Sequence, residues 1–231
     1  MSDTKKLEHI GFIMDGNRTW ARGKWLPQLE WHRRGYNNAE NIIDECLALD
    51  ISYVSFWWLS DDNIRKRSTE EVSYLFDLLT RWIRDLIKKS RKKNIRLYFV
   101  GNRELMREDC LSAMCDAEIE THNCTGMKVI FALGYGWQDE IVRTIHALAR
   151  DGYDMENVSL EDFIGHSDTG IFPSPDLIIR TGGHMRHSGY FLFQSAYSEY
   201  AFSQKNWPEF DKNELGRILA DFYERTRKFW K

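Results

Sequence analysis

The sequence predicts a single α/β domain spanning residues 1–231, built on a central, mostly parallel β-sheet flanked by helices. Three observations carry that expectation. Short apolar runs rich in β-branched and aromatic residues alternate with longer stretches of helical period, the pattern of strands joined through crossover helices. The 231 residues include only 4 Pro and 15 Gly, and are long enough to bury one sizeable core. No repeat, low-complexity tract or linker composition divides them.

The elements follow in chain order. Ile10–Met14 reads as a buried strand ended by Asp15-Gly16-Asn17, where a helix opens. Asn38–Leu49 carries Ile42, Ile43, Cys46 and Leu47 at helical spacing, and Ile51–Leu59 reads as a second strand. Ser68-Thr69-Glu70-Glu71 has the character of a capping box. It starts a long helix with Val72, Leu75, Phe76, Leu79, Ile83 and Leu86 on one stripe and Lys88-Lys89 at a basic end. Ile95–Val100 is strand-like and is punctuated by Gly101-Asn102. Residues 103–121 read as helix, Met127–Leu133 as strand and Asp139–Arg150 as helix. Asp176–Ile179 is a short strand feeding Arg180-Thr-Gly-Gly183, and a last helix runs from Lys212 into the basic end around Arg225. Ligands of parallel sheets collect outside the carboxyl ends of the strands. Asp15, Ser60–Asn63, Gly101, Gly134 and Arg180 all follow strands and can share one rim.

Composition narrows the function classes. The 32 Lys+Arg against 35 Asp+Glu leave a net charge of -3, so nothing advertises a nucleic-acid partner. The four cysteines have no CxxC spacing, which favours a reduced, cytoplasmic setting. The polar first residues contain no secretory apolar region, and no apolar stretch approaches the roughly 18 residues that span a bilayer. Secreted, membrane-spanning, disordered and disulfide-scaffold classes are therefore not expected, and membrane contact is at most peripheral. The 14% aromatic content, with 9 Trp, fits either a large apolar cavity or dense core packing.

Four segments can carry chemistry. Gly16 lets backbone approach a ligand, the helix start offers free N–H groups to phosphate, and Asp15 can hold Mg²⁺ bridging to that phosphate. A turn with an Asp cap explains the same residues. Arg180, Arg186 and Ser188, with a Gly pair between, suit a diphosphate, which needs several fixed donors; the alternative is a solvated basic loop. His184 and His187 lack an obvious third metal ligand. Glu199 sits in a weakly polar segment and requires a metal or an Arg, or is simply a surface ion pair. Ser60-Asp61-Asp62-Asn63 either holds acid–base groups or caps a helix. No Walker A, GxGxxG, serine-hydrolase or reactive-cysteine signature occurs.

Together these pieces resemble the cis-prenyltransferases, the family of undecaprenyl diphosphate synthase, over His9 to Phe229. His9-Ile-Gly-Phe-Ile-Met-Asp-Gly-Asn17 with Trp20-Ala21 is similar to H-x-x-x-x-M-D-G-N-x-R-W-A, and His32-Arg-Arg-Gly35 to H-x-x-G. Ser60-Asp-Asp-Asn63 resembles S-[ST]-E-N, and Tyr135-Gly136 with Glu140-Ile141 resembles N-Y-G-G-R-x-[DE]-I. Asp176–Gly183 with Arg186, Ser188 and Gln194 matches D-L-x-I-R-T-G-G-E-x-R-x-S-N-F-x-x-W-Q, and Tyr197-Ser-Glu199 and Trp207-Pro-Glu-Phe210 complete the order.

The resemblance implies a sheet of about six strands and condensation of isopentenyl diphosphate with an allylic diphosphate by a Mg²⁺-dependent homodimer. On these residues it implies that Asp15 and Glu199 bind Mg²⁺ and that Gly16, Asn17 and Arg18 cradle the allylic diphosphate near His32. Arg180, Arg186 and Ser188 would hold isopentenyl diphosphate, while Asn63 with Ser60 would orient its isopentenyl group and assist proton removal. Thr19, Trp20, Asp61, Asp62, Arg67 and His187 would complete the substrate-binding set. Departures from the pattern are Thr19, Gln28, Ile64, Lys66 or Arg67 after a one-residue insertion, His184, Gly189, and a C-terminal R-x-G reduced to Arg225, Arg227 and Trp230. With Asp15, Asn63, Arg180, Arg186, Ser188 and Glu199 retained, the expectation is an active enzyme. The alternatives are head-to-middle, lavandulyl-type coupling and a non-catalytic subunit of a heteromeric enzyme. Trp58 stands where long-chain members have a small residue, beside Trp57, so a short product of two to four units is expected. Otherwise Trp58 simply packs against a covering helix.

Overall fold

A computed structural model describes residues 7–24 and 28–225, the side chains of residues 28–32 excepted. His32, Gln28, Arg227 and Trp230 lie outside the described side chains. The described residues form one six-stranded sheet. Its strands are β1 (His9–Ile13), β2 (Tyr53–Ser60), β3 (Arg96–Val100), β4 (Lys128–Tyr135), β5 (Leu177–Arg180) and β6 (Glu199–Phe202). Their order is β3-β4-β2-β1-β5-β6, and every neighbouring pair is parallel.

Helices connect them: α1 (Asn17–Gly23), α2 (Gln28–Ala48), α3 (Asp61–Lys66), α4 (Thr69–Lys92), α5 (Glu108–Glu120), α6 (Trp137–Arg150), α7 (Leu160–His166) and α8 (Lys212–Glu224). The strands shift by only a residue or two from expectation. Three elements were not foreseen: α3, α7 and the edge strand β6, whose four residues are too few for a periodic signal. Residues 103–121 resolve into a 3₁₀ turn, Arg103–Leu105, and α5. The last helix stops at Glu224, with Arg225 in an extended conformation.

Alternation along β2 sorts its aromatics between two cores. Phe56 and Trp58 join the larger core with Leu75, Leu79 and Trp82 of α4. Trp57 joins the smaller one with Tyr135, Tyr190 and Phe191 on the opposite face. The start of α4 follows the Ser68 signal: Ser68 Oγ accepts from the Glu71 N–H at 3.3 Å. Helix α6 turns a polar anchor inward. The buried Glu140 carboxylate accepts the Tyr135 hydroxyl at 2.6 Å and the Thr169 hydroxyl at 2.8 Å. Burial pushes the Glu140 pKa up.

The sheet order also places the site. From β1 the chain builds outward on one side through β2, and β5 then pairs with the other side of β1. The gap beyond the carboxyl ends of β1 and β5 is therefore the switch point, where open α/β sheets form their crevice.

Candidate active site

The crevice is built first by register. Ile13 of β1 pairs with Arg180 of β5, so the residues leaving the two strands meet. Arg180 donates from Nη2 to Asp15 Oδ2 at 2.8 Å and from Nη1 to Ser188 Oγ and the Arg186 carbonyl, both at 2.7 Å. Asp15 is steadied by the Gly16 N–H, which reaches Oδ1 at 2.8 Å. Thr181 ties both loops together: its hydroxyl accepts from the Asp15 N–H at 3.0 Å and donates to the Asp15 carbonyl at 2.8 Å. Such close backbones require a glycine. Gly182 has φ +82°, and a Cβ there would lie 2.9 Å from Asp15 C and Gly16 N.

A second polar group faces it. Ser60 Oγ accepts from the Asn63 backbone at 3.1 Å and from the Asn63 side-chain amide. Asn63 Oδ1 accepts from Arg67 Nη2 at 2.6 Å. Glu71 then joins two cations through one carboxylate oxygen, 2.7 Å from Arg18 and 3.2 Å from Arg67. Burial, and after it the neighbouring Arg18 charge, lowers the Arg67 pKa while Glu71 raises it. Between these groups lies a cavity of about 430 Å³. Asp15–Thr19, Ser60, Asn63, Arg67, Arg180 and Ser188 make its polar mouth, while Tyr36, Trp58, Leu75 and Leu79 line its apolar end. Trp58, one of these lining residues, packs in a cluster of rings, 4.7 Å from Tyr36 and 4.6 Å from Trp82 between centroids.

A cation-rich, carboxylate-bearing mouth over an aromatic pocket suits an amphiphile with a polyanionic head and an apolar tail. The comparisons agree with that chemistry. The family described as "Putative undecaprenyl diphosphate synthase" matches residues 13–230. This chain belongs to the undecaprenyl diphosphate synthase family. A curated tritrans,polycis-undecaprenyl-diphosphate synthase (geranylgeranyl-diphosphate specific) of Thermoplasma volcanium is 37% identical, covering 99% of this chain and 92% of that protein. An isoprenyl transferase of Brucella suis is 36% identical over 99% of this chain and 90% of its own. Among solved structures, lavandulyl diphosphate synthase from Lavandula x intermedia, in complex with dimethylallyl diphosphate, superposes with a TM-score of 0.89. It is 29% identical, covering 96% of this chain and 97% of that one.

Within this synthase-family fold, most of the expected site residues meet at the cavity: Asp15, Gly16, Asn17, Arg18, Thr19, Trp58, Ser60, Asn63, Arg67, Arg180 and Ser188. Six do not. Trp20 turns inward and is 5% exposed, its ring flanked by Arg34 and Lys24. Asp61 and Asp62 occupy the first turn of α3, where carboxylates complement the helix dipole, and Asp62 pairs with Lys66 at 2.9 Å. Arg186 and His187 are exposed and outside the cavity lining, and the His187 ring is turned back onto the loop, where Nδ1 accepts the Gly189 N–H at 2.9 Å. The Arg186 carbonyl joins the site through Arg180. Glu199 lies back from the cavity. It starts β6 opposite Leu177, roughly 10 Å back from the Arg180 rim at about 3.3 Å per residue, and pairs with Arg225 at 3.0 Å. Within one chain Glu199 and Asp15 do not share a metal.

Sequence reasoning missed Glu71, which looked like a capping residue, Leu75 and Leu79, which looked like an ordinary helix stripe, and Tyr36, which it did not single out. Glu71 stands 53 positions from Arg18, so no local spacing signals the bridge. Among the described residues no helix is long and apolar enough to cross a membrane.

Proposed function

We propose that this chain is a cis-prenyltransferase condensing isopentenyl diphosphate with a short allylic diphosphate, releasing a short (Z)-prenyl diphosphate. The observation that carries this reading is the Asp15–Arg180 pair at the mouth of a cavity whose apolar lining includes the stacked Trp58. In the proposed assignment Arg180 and Ser188 bind the isopentenyl diphosphate head. Arg18, Asn17 and the Gly16 backbone bind the allylic one. Asn63, held by Ser60 and Arg67, orients the isopentenyl group and helps take the proton it loses. A cavity on the order of 150 Å³ holds one benzene ring, so about 430 Å³ leaves little room for tails beyond a few C5 units.

Magnesium fits the mouth as a cation that arrives with its diphosphate. No cluster of three His, Cys, Asp or Glu among the described residues could cage it. Mg²⁺ is commonly held by one or two carboxylates plus substrate phosphates, and Asp15 supplies such a carboxylate. When bound there, it would neutralise charge on the departing diphosphate. A homodimer, with at most peripheral membrane contact, remains part of the proposal; light scattering at micromolar concentration tests the dimer.

The experiment is incubation of the purified protein with radiolabelled isopentenyl diphosphate, dimethylallyl diphosphate and Mg²⁺. Extractable labelled product from the chain alone supports an enzyme; none, with recovery only on adding a partner chain, supports a silent subunit. A second reading has its own support: the similarity to lavandulyl diphosphate synthase favours head-to-middle coupling of dimethylallyl units. Product NMR after incubation with dimethylallyl diphosphate alone separates the two couplings.

A further inference from the structure

The segment after Arg180 is held in an unusual conformation. Ser188 has φ +53°, Gly189 φ +86° and Phe191 φ +49°. Residues with side chains in this region persist only where their surroundings over-determine them. From below, Arg180 Nη1 holds both Ser188 Oγ and the Arg186 carbonyl at 2.7 Å. Within the loop, the Gly189 N–H donates to His187 Nδ1 at 2.9 Å. From above, the Trp137 indole covers Gly189. A Cβ built on Gly189 would enter that ring, 2.5 Å from Cγ and 2.6 Å from Nε1.

Two departures from the motifs coincide here. In N-Y-G-G-R the place of Trp137 is a Gly, and in R-x-S-N-F the place of Gly189 is an Asn. The Trp137 ring occupies the volume that a side chain on residue 189 would need. Either large residue excludes the other.

We infer that Trp137 and Gly189 are one coupled exchange, in which the Trp137 indole acts as a positioning residue that clamps the 186–189 loop and thereby sets Ser188 against Arg180. This rests on the reading of Arg180 and Ser188 as a diphosphate site. Trp137 itself lies outside the cavity lining, so its effect must pass through the loop. The consequence is specific. Loss of the clamp weakens capture of the diphosphate head while leaving the Asp15 and Asn63 groups in place.

The test is a four-protein cycle: wild type, Gly189→Asn, Trp137→Gly and the double variant. Inorganic pyrophosphate with Mg²⁺ is titrated by calorimetry, and KM and kcat are measured for isopentenyl diphosphate. Neighbours that share one space are strongly non-additive, so each single variant should weaken pyrophosphate binding by about tenfold, and the double should return to within about threefold of wild type. KM should move with these affinities while kcat stays within about twofold, because ground-state binding is what the loop supplies. Circular dichroism monitors folding; if Gly189→Asn does not fold, Trp137→Gly alone must still show the affinity loss with an unchanged spectrum. Additive losses in the double variant, or unchanged affinity in Trp137→Gly, overturn the clamp and leave the diphosphate reading standing. A wild type that takes no pyrophosphate overturns both.

Discussion

Arg180 Nη2 stands 2.8 Å from Asp15 Oδ2, with the Arg180 side chain only 6% exposed and that of Asp15 36% exposed. The pair joins the ends of two adjacent strands, and each partner compensates the other's charge. In the proposed function the diphosphate that takes the guanidinium and the cation that takes the carboxylate both reach this one contact.

Asp15→Ala removes the carboxylate and leaves Arg180 without its counter-ion. Turnover should fall at least about a hundredfold, the scale seen when a group that stabilises developing charge is deleted. Asp15→Asn should lose comparable activity while keeping the Gly16 contact and a melting temperature nearer wild type. Single-turnover assays and thermal melts check this, and near-normal kcat in either variant rejects the role of Asp15.

Arg186 serves the site through its backbone carbonyl, so Arg186→Ala retains the bond to Arg180. Its exposed side chain is then free to reach only a bound ligand. The expected result is a KM for isopentenyl diphosphate raised about tenfold with little change in kcat. Arg180→Ala should be more severe and should also lower stability, by about 1–2 kcal/mol, because it removes three hydrogen bonds and leaves a partly exposed carboxylate without its partner. Initial-rate kinetics and urea titrations on both variants separate the two roles; equal effects would contradict the placement.

Trp58 packs against Tyr36, Trp82 and Phe131 and also lines the cavity, the position from which the proposed limit on product length would act. Trp58→Ala should lengthen the products on reversed-phase chromatography and cost about 3 kcal/mol of stability. Trp58→Phe should cost less on both counts. An unmoved product distribution, or a wild type that already makes ten or more units, removes Trp58 from chain-length control.

His9 is fully buried between the Pro173 carbonyl, 2.7 Å from Nδ1, and Ser55 Oγ, 2.8 Å from Nε2. Burial is the main cause that holds its pKa down at about 4; the Pro173 contact and Asp176 partly oppose it. The neutral ring is the form the fold accepts. Its contribution is therefore complete above the unfolded value of about 6.5 and is lost as pH falls from there toward 4, by roughly 3 kcal/mol. Urea unfolding at pH 7 and pH 4.5 measures the loss. His9→Gln should flatten this acid limb; a variant with the same limb would show that other groups cause it.

How much was legible in the sequence follows from the range of each interaction. Strand and helix order was readable because period and caps are local: Ser68 announced α4, and the apolar run at Ile10 announced β1. The motifs around Asp15, Ser60 and Arg180 named the family and, through the rule that loops gather at strand ends, a shared rim. The tertiary structure alone decided which of them meet. Asp15 and Arg180 are 165 positions apart and become partners only through the β1–β5 register. Glu71 became a bridge between Arg18 and Arg67 because α1 and the start of α4 converge on the mouth. Trp20 left the site and Glu199 fell behind it for the same physical reason. A side chain's direction and its height along a strand are set by helix rotation and strand register, and those are fixed by packing across the whole sheet.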